Sequence, residues 1–294
     1  MKTYSTAASL RTALLAAKRA GKSVAFVPTM GNLHEGHLQL VRRARTLADV
    51  VVVSIFVNPL QFAASEDLST YPRTIAADKE KLFAEGTQCL FLPTVDEIYP
   101  EGMAVHSKVA VPQLSETHCG ESRPGHFNGV TTVVNKLFNI VQPDVAIFGQ
   151  KDFQQLSIIR KMVSDLCMPI DIVGVPTARA EDGLALSSRN GYLEQTQRQT
   201  APLLHRVLQE CRDAIACGYD SYRELEQHAK AMLLEGGFKP DYFSICDART
   251  LREINLDTEE IVILAAAKLG NTRLIDNVTL NVNPSSDWGM LAVN

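Results

Sequence analysis

Val24-Ala25-Phe26-Val27-Pro28-Thr29-Met30-Gly31-Asn32-Leu33-His34-Glu35-Gly36-His37 is the stretch whose reading decides the fold. Val24 to Pro28 is an apolar run of strand length that breaks at the proline, and Gly31 follows. Two histidines then stand three residues apart with Gly36 between them, before Leu40, Val41, Ala44 and Ala48 recur at helical spacing. The pattern is strand, loop, helix, with both histidines at the helix's N-terminal end. A helix start offers free backbone N–H groups and a positive dipole end, so it suits an anion such as a phosphate. Residues three apart share a helix face, so His34 and His37 can address one ligand. Gly36 has no side chain and lets a flat ring or a phosphate approach the backbone. A zinc-peptidase reading needs His-Glu-x-x-His with the histidines four apart, and here the spacing is three.

Working outward, an N-terminal helix is expected within Met1 to Gly21, where apolar and basic residues interleave up to the glycine. Beyond the 36–48 helix, Val50 to Val57 is apolar on both faces apart from Ser54, as in a parallel strand buried in mid-sheet. Pro59 stops it, placing Asn58 and Gln61 just beyond its carboxyl end, where open α/β sheets bind ligands. An ordinary loop amide is the alternative for Gln61. A helix from Thr74 to Glu85, a strand from Cys89 to Leu92 and a helical stripe of Val130, Val133, Val134, Leu137 and Val141 follow. Asp96 to Phe127 is rich in turn residues and is expected to cover the sheet edge or meet a partner subunit. Val145 to Phe148 is another buried strand, opening into Gly149-Gln150-Lys151-Asp152 and a further helix. Lys151 can pair with phosphate oxygens as a point charge, while Asp152 is suited to capping the helix. Ile170 to Gly174 completes five strands alternating with helices, which predicts a doubly wound parallel sheet, an α/β fold.

Leu186-Ser187-Ser188-Arg189 sets two hydroxyls beside a guanidinium, a possible phosphate clamp and equally an ordinary loop composition. After Gly191 the character changes. A helix over Thr196–Cys217, a second opened by a Ser221/Glu224 capping box, and strands at Tyr242–Cys246, Ile261–Ala267 and Arg273–Ile275 predict a smaller α+β domain. The boundaries drawn from sequence are 1–189, 190–283 and a loose tail at 284–294.

Of the 294 residues, 46% are hydrophobic and 21% charged, enough to build a globular core, and the net charge of −4 argues against a nucleic-acid partner. An anionic substrate must therefore be met by a local cluster of positive groups. No apolar run reaches membrane-span length, and the N-terminus lacks a secretory core and cleavage site. The six cysteines have no Cys-x-x-Cys spacing and fit a cytoplasmic protein with reduced thiols.

Several long motifs in one order carry a family resemblance. They are Val27 to His37, Ser54 to Phe62, Arg123-Pro124-Gly125-His126-Phe127, Lys151 to Leu156, Asp182 to Tyr192 and Leu274-Ile275-Asp276-Asn277. In these the chain closely resembles the pantoate–β-alanine ligase family, within the wider group of Rossmann-like nucleotidyltransferase folds. The resemblance implies ligation of pantoate and β-alanine through a pantoyl adenylate, with ATP as substrate, Mg²⁺ held mostly by its phosphates, and release of AMP and pyrophosphate. It gives His37 an acid role near the phosphates, with His34 and Lys151 stabilising the transition state. It places Met30, Gly31, Asn32, Leu33, His34, Glu35, Gly36, His37, Gly149, Gln150, Lys151, Asp152, Ala178, Leu186, Ser187, Ser188 and Arg189 on ATP. Gln61 would contact pantoate and β-alanine, and Gln155 pantoate. The resemblance also implies a homodimer and a C-terminal lid. Gln150 departs from the family form, which has glutamate there. A plain nucleotidylyltransferase would need a second phosphate site, a tRNA synthetase-like protein a longer and more basic chain, and a nucleotide sensor would tolerate loss of His37 or Lys151.

Overall fold

The computed structural model describes residues 1–62, 66 and 68–282. The expected tail at 284–294 lies outside them. The chain forms two compact units, one of Met1–Ala180 with Leu186–Ser188, the other of Glu181–Ala185 with Arg189 onward.

The first unit begins with a strand that sequence periodicity does not reveal, β1 (Lys2–Tyr4), before helix α1 (Ala7–Arg19). There follow β2 (Val24–Thr29), α2 (Glu35–Arg45), β3 (Val50–Ile55), α3 (Ile75–Ala84) and β4 (Cys89–Phe91). Two single-turn helices, α4 (Val95–Ile98) and α5 (Cys119–Ser122), interrupt the long irregular segment. The unit continues with α6 (His126–Val141), β5 (Val145–Gly149), α7 (Phe153–Asp165) and β6 (Asp171–Val175). Six parallel strands lie in the order β1-β4-β3-β2-β5-β6. β2 and β3 pair residue for residue from Val24↔Val50 to Thr29↔Ile55, and β2 meets β5 at Ala25↔Val145.

Alternation along the buried strands builds two cores. Ala25, Val27, Val51, Val53, Leu90, Val145 and Ile147 face Leu40, Val41 and Ala44 of α2 and Leu82 of α3. On the opposite side the Phe26 ring meets Phe138 of α6 edge-on at 6.3 Å, and Phe138 meets Phe148 at the same distance. Full burial of such a side chain is worth about 1.5–3 kcal/mol, so each strand is fixed from both faces. From β2 the chain runs outward one way to β3 and β4, then returns to the other side of β2 for β5 and β6. The order therefore reverses between β2 and β5, and the crevice at their carboxyl ends is where such sheets receive ligands.

The segment from Asp96 to Phe127 packs on the helices of the first unit. Its backbone is held by α6 and α7. Val109 N–H donates to Thr132 Oγ1 at 3.0 Å, and the buried Gln154 amide donates to Leu114 O and Thr117 O at 2.8 and 2.7 Å while accepting from Cys119 N–H.

The second unit holds α8 (Gln195–Thr200), α9 (Leu203–Ala216), α10 (Tyr222–Glu235) and an antiparallel sheet of β7 (Phe238–Asp247), β8 (Glu260–Leu269) and β9 (Thr272–Asn281). The single helix expected over 196–217 is two. Pro202 has no N–H to continue the first, and it sits at the N-cap of the second. The Ser221/Glu224 capping box does not form, because the Glu224 carboxylate accepts the Tyr219 phenol at 2.7 Å instead. Among the described residues no helix is long and apolar enough to cross a membrane.

Candidate active site

The turn between β2 and α2 is built before any ligand is considered. Gly31 has φ +85° and Asn32 φ +49°, both left-handed, and a side chain at Gly31 would meet Ile55 at 3.0 Å and Asp78 at 3.2 Å. The turn is clamped from α3. Asp78, fully buried, accepts Asn32 N–H at 2.9 Å and Leu33 N–H at 2.8 Å through its two oxygens, and Lys81 donates to Leu33 O at 2.6 Å. Sequence reading missed Asp78, since its partners lie more than forty positions away. Asp78→Ala strands the buried Leu33 N–H and the part-buried Asn32 N–H and removes charge-assisted bonds worth about 1.5–3 kcal/mol each. The expected result is a loss of about 3 kcal/mol or more in urea unfolding, together with a raised KM for the nucleotide.

His34 is the N-cap of α2, in place of the usual serine, threonine or aspartate. Its Nδ1 accepts Gly36 N–H at 3.2 Å, and its own N–H donates to His37 Nδ1 at 3.3 Å. The imidazoles therefore act as the capping box, and they consume backbone donors that an open helix start would have offered to an anion. The rings lie against each other, 4.1 Å between centroids and tilted by 47°. Because each Nδ1 accepts a hydrogen bond, each neutral ring carries its proton on Nε2. Neither Nε2 has a partner among the described residues, so two N–H donors replace the backbone ones. Gly36 serves this arrangement directly, since a Cβ there would lie 3.0 Å from His34 Cε1. The flat ring brought close to the backbone is His34's own.

Both imidazoles are held well below the ordinary histidine range. Burial first, then the Lys151 charge, pushes His34 down to about 4, with Asp152 opposing. Burial, His34 and Lys151 push His37 down to about 3. The 149–152 turn, at the end of β5, puts the Lys151 charge near enough to bear on both rings. A short 3₁₀ turn over Gln150–Asp152 carries Lys151, whose Nζ is 3.9 Å from Asp152. Asp152 occupies the N-cap position of α7 without capping it through its side chain, contrary to the expected role. Gln150 turns toward β6, where Gly174 leaves room for its Cγ.

The third loop also arrives. Ser188 Oγ donates to Asn32 O at 3.1 Å, Leu186 N–H donates to Ala178 O at 2.9 Å, and a side chain at Gly36 would touch Ala178 Cβ at 3.5 Å. Met30, Gly31, Asn32, Leu33, His34, Glu35, Gly36 and His37, Gly149–Asp152, Ala178 and Leu186–Ser188 all belong to the first unit, whereas Arg189 belongs to the second. Beyond β3, Asn58 is fully buried and Gln61 half-buried in a 3₁₀ turn. Gln155 lies one residue past the buried Gln154 on α7, is half-buried, and has no partner for its amide among the described residues. Among the described residues no three histidine, cysteine or carboxylate side chains gather as metal ligands.

A parallel sheet that reverses order at β2/β5, with paired imidazoles, a lysine and a serine loop at that crevice, defines a nucleotidyltransferase-like α/β enzyme. Residues 2–279 match the family model described as pantoate–beta-alanine ligase. The chain belongs to that family. Pantothenate synthetase of Pseudomonas putida (strain W619) is 58% identical over 96% of this chain and 99% of its own, and that of Marinobacter nauticus is 54% identical over 95% and 99%. Among solved structures, pantothenate synthetase from Thermus thermophilus superposes with a TM-score of 0.88 at 46% identity, covering 95% of this chain and 99% of that one. Pantoate–beta-alanine ligase from Francisella tularensis, complexed with beta-gamma ATP and beta-alanine, gives 0.78 at 32% identity, covering 97% and 100%.

Proposed function

We propose that the protein condenses pantoate with β-alanine in two steps at the β2/β5 crevice, using one MgATP. The observation that carries this reading is the meeting of three separate loops at the start of α2, where Lys151 acts on both imidazoles and Ser188 rests on Asn32. In the first step a pantoate carboxylate oxygen attacks the α-phosphorus. The P–O bond to the β-phosphate breaks, pyrophosphate leaves, and a mixed anhydride, pantoyl adenylate, remains. In the second the β-alanine amine attacks the acyl carbon, the C–O bond to the phosphate breaks, and AMP leaves with one of pantoate's original oxygens. The amine's surplus proton departs to solvent. The substrate carboxylate is the nucleophile, so the protein's task is alignment and neutralisation of charge gathering on the phosphates.

Lys151 supplies a cation, and the Nε2–H groups of His34 and His37 supply donors. The acid role that the resemblance gives His37 meets a ring pushed down to about 3, so His37 enters the reaction neutral and donates a hydrogen bond to a phosphate oxygen. Ser187 and Ser188 contact the phosphates, and Ala178 lies against the adenine through its backbone. Arg189 keeps the phosphate assignment that the resemblance gives it. Gln61 and Gln155 hold pantoate, and Gln61 also meets β-alanine. Mg²⁺ enters as part of the nucleotide substrate, carried by its phosphate oxygens. A homodimer and a cytoplasmic setting complete the proposal, the latter supported by six free cysteines.

Exchange of labelled pyrophosphate into ATP tests it. Exchange is expected with pantoate and ATP alone, and AMP is expected to accumulate only once β-alanine is added. Exchange indifferent to pantoate, or ADP as product, overturns the reading.

A further inference from the structure

The Arg123-Pro124-Gly125-His126-Phe127 motif stands apart from the nucleotide loops, and no step above uses it. In the fold it opens α6, and the helix's first turns lie flush against the 58–61 segment. A Cβ at Gly129 would sit 2.3 Å from Leu60 O, so only glycine permits the approach. Arg123 donates through Nη2 to Gln61 O at 3.0 Å and grips Glu66 with Nε and Nη2 at 2.6 and 2.7 Å. Its Nη1 lies 3.0 Å from His126 Nε2, and His126 Nδ1 lies 2.8 Å from Gln61 O. A guanidinium only donates and a carbonyl only accepts, so His126 is the neutral Nδ1–H tautomer bridging the two. Burial, then the Arg123 charge, keeps it neutral, pushed down to about 4.

A second chain of bonds fixes the side chain. Asn58 Nδ2 is 3.1 Å from Gly129 O and 3.1 Å from Gln61 Oε1, while Tyr99 O–H donates to Asn58 Oδ1 at 2.9 Å. The Gly129 carbonyl accepts only, which sets the amide end of Asn58. That in turn makes the facing Gln61 atom an oxygen. The remaining Gln61 group is its NH₂, and it has no partner among the described residues.

We propose that the Arg123–His126–Gly129 face of α6 is a positioning device that locks Gln61 by its main chain and, through Asn58, presents its amide to the acid substrate as a donor only. The pantoate group it meets must then be an acceptor oxygen. Arg123 and His126 are positioning residues here, acting through Gln61, and the proposal rests on Gln61 holding pantoate as read above.

The test measures KM for pantoate and for ATP separately in the pyrophosphate exchange reaction, on the full chain and on His126→Phe, His126→Gln and Arg123→Lys. Phenylalanine keeps the ring's bulk and loses both hydrogen bonds. Its KM for pantoate is expected to rise by about tenfold, the scale of one lost hydrogen bond, with KM for ATP within about twofold. Glutamine, which can still donate to the Gln61 carbonyl, is expected to recover part of the loss. Arg123→Lys keeps the charge without the fork and is expected to raise the pantoate KM alone, which carries the test if the phenylalanine variant fails to fold. Pantoate-dependent exchange in the unaltered chain, with both KM values rising together or neither moving in the variants, overturns this proposal and leaves the reaction standing. Exchange that ignores pantoate in the unaltered chain overturns both.

Discussion

Replacing Lys151 with alanine is expected to slow pantoyl-adenylate formation by on the order of 10²-fold or more, the usual size for losing one preorganised stabiliser of transition-state charge. Lys151 stands on a 3₁₀ turn between β5 and α7, largely buried, with its charge felt by both imidazoles. An ammonium fixed in this way needs no reorganisation when charge moves onto the leaving pyrophosphate. Its loss should therefore fall mainly on kcat for exchange, with a smaller change in KM for ATP. Single-turnover formation of the acyl adenylate is the measurement. Unchanged turnover would remove Lys151 from the chemistry, and a rise in KM with kcat intact would reduce it to a nucleotide-binding residue.

His37→Ala is expected to cost a similar factor, on the order of 10²-fold, for a different reason. It removes one Nε2–H donor and also the acceptor for His34 N–H, so the capping box opens while Gly36 N–H alone still holds the His34 ring. His37→Gln can accept that N–H through its oxygen and donate through its nitrogen, and should recover about tenfold of the loss. The pH profile separates donor from acid. With the two rings pushed down to about 4 and about 3, both are neutral throughout the range above pH 6. The adenylation rate is then expected to be flat from about pH 6 to 8, since neither of these two imidazoles changes its charge there. If the bound phosphates raised His37 into that window and it acted as an acid, the rate would fall as pH rises and the protonated fraction is lost.

How far the site could be read in advance depends on the range of the forces that build it. The strand–loop–helix at 24–45, the buried strands and the stripe on α6 follow from local periodicity, and they place the paired histidines at a helix start. What stayed hidden needed partners distant in the chain. β1 is three residues long and makes sense only against β4, where Lys2 pairs with Cys89. Asp78 reads as an ordinary helical aspartate until the fold sets it under Asn32 and Leu33. The polarity of Gln61 is decided by a carbonyl at Gly129, on another element. Gly36 looked like space for a substrate and proved to be space for His34. Pro202 did carry a local signal, a missing N–H in mid-helix, and periodicity across it concealed the break.

In the proposed reaction pantoate's carboxylate becomes bonded to the α-phosphorus before β-alanine is joined. Pantoate labelled with ¹⁸O in both carboxylate oxygens tests this most directly. One labelled oxygen should appear in AMP and the other in the amide carbonyl of the product. AMP free of label, or label in inorganic phosphate with ADP as the nucleotide product, would contradict the account.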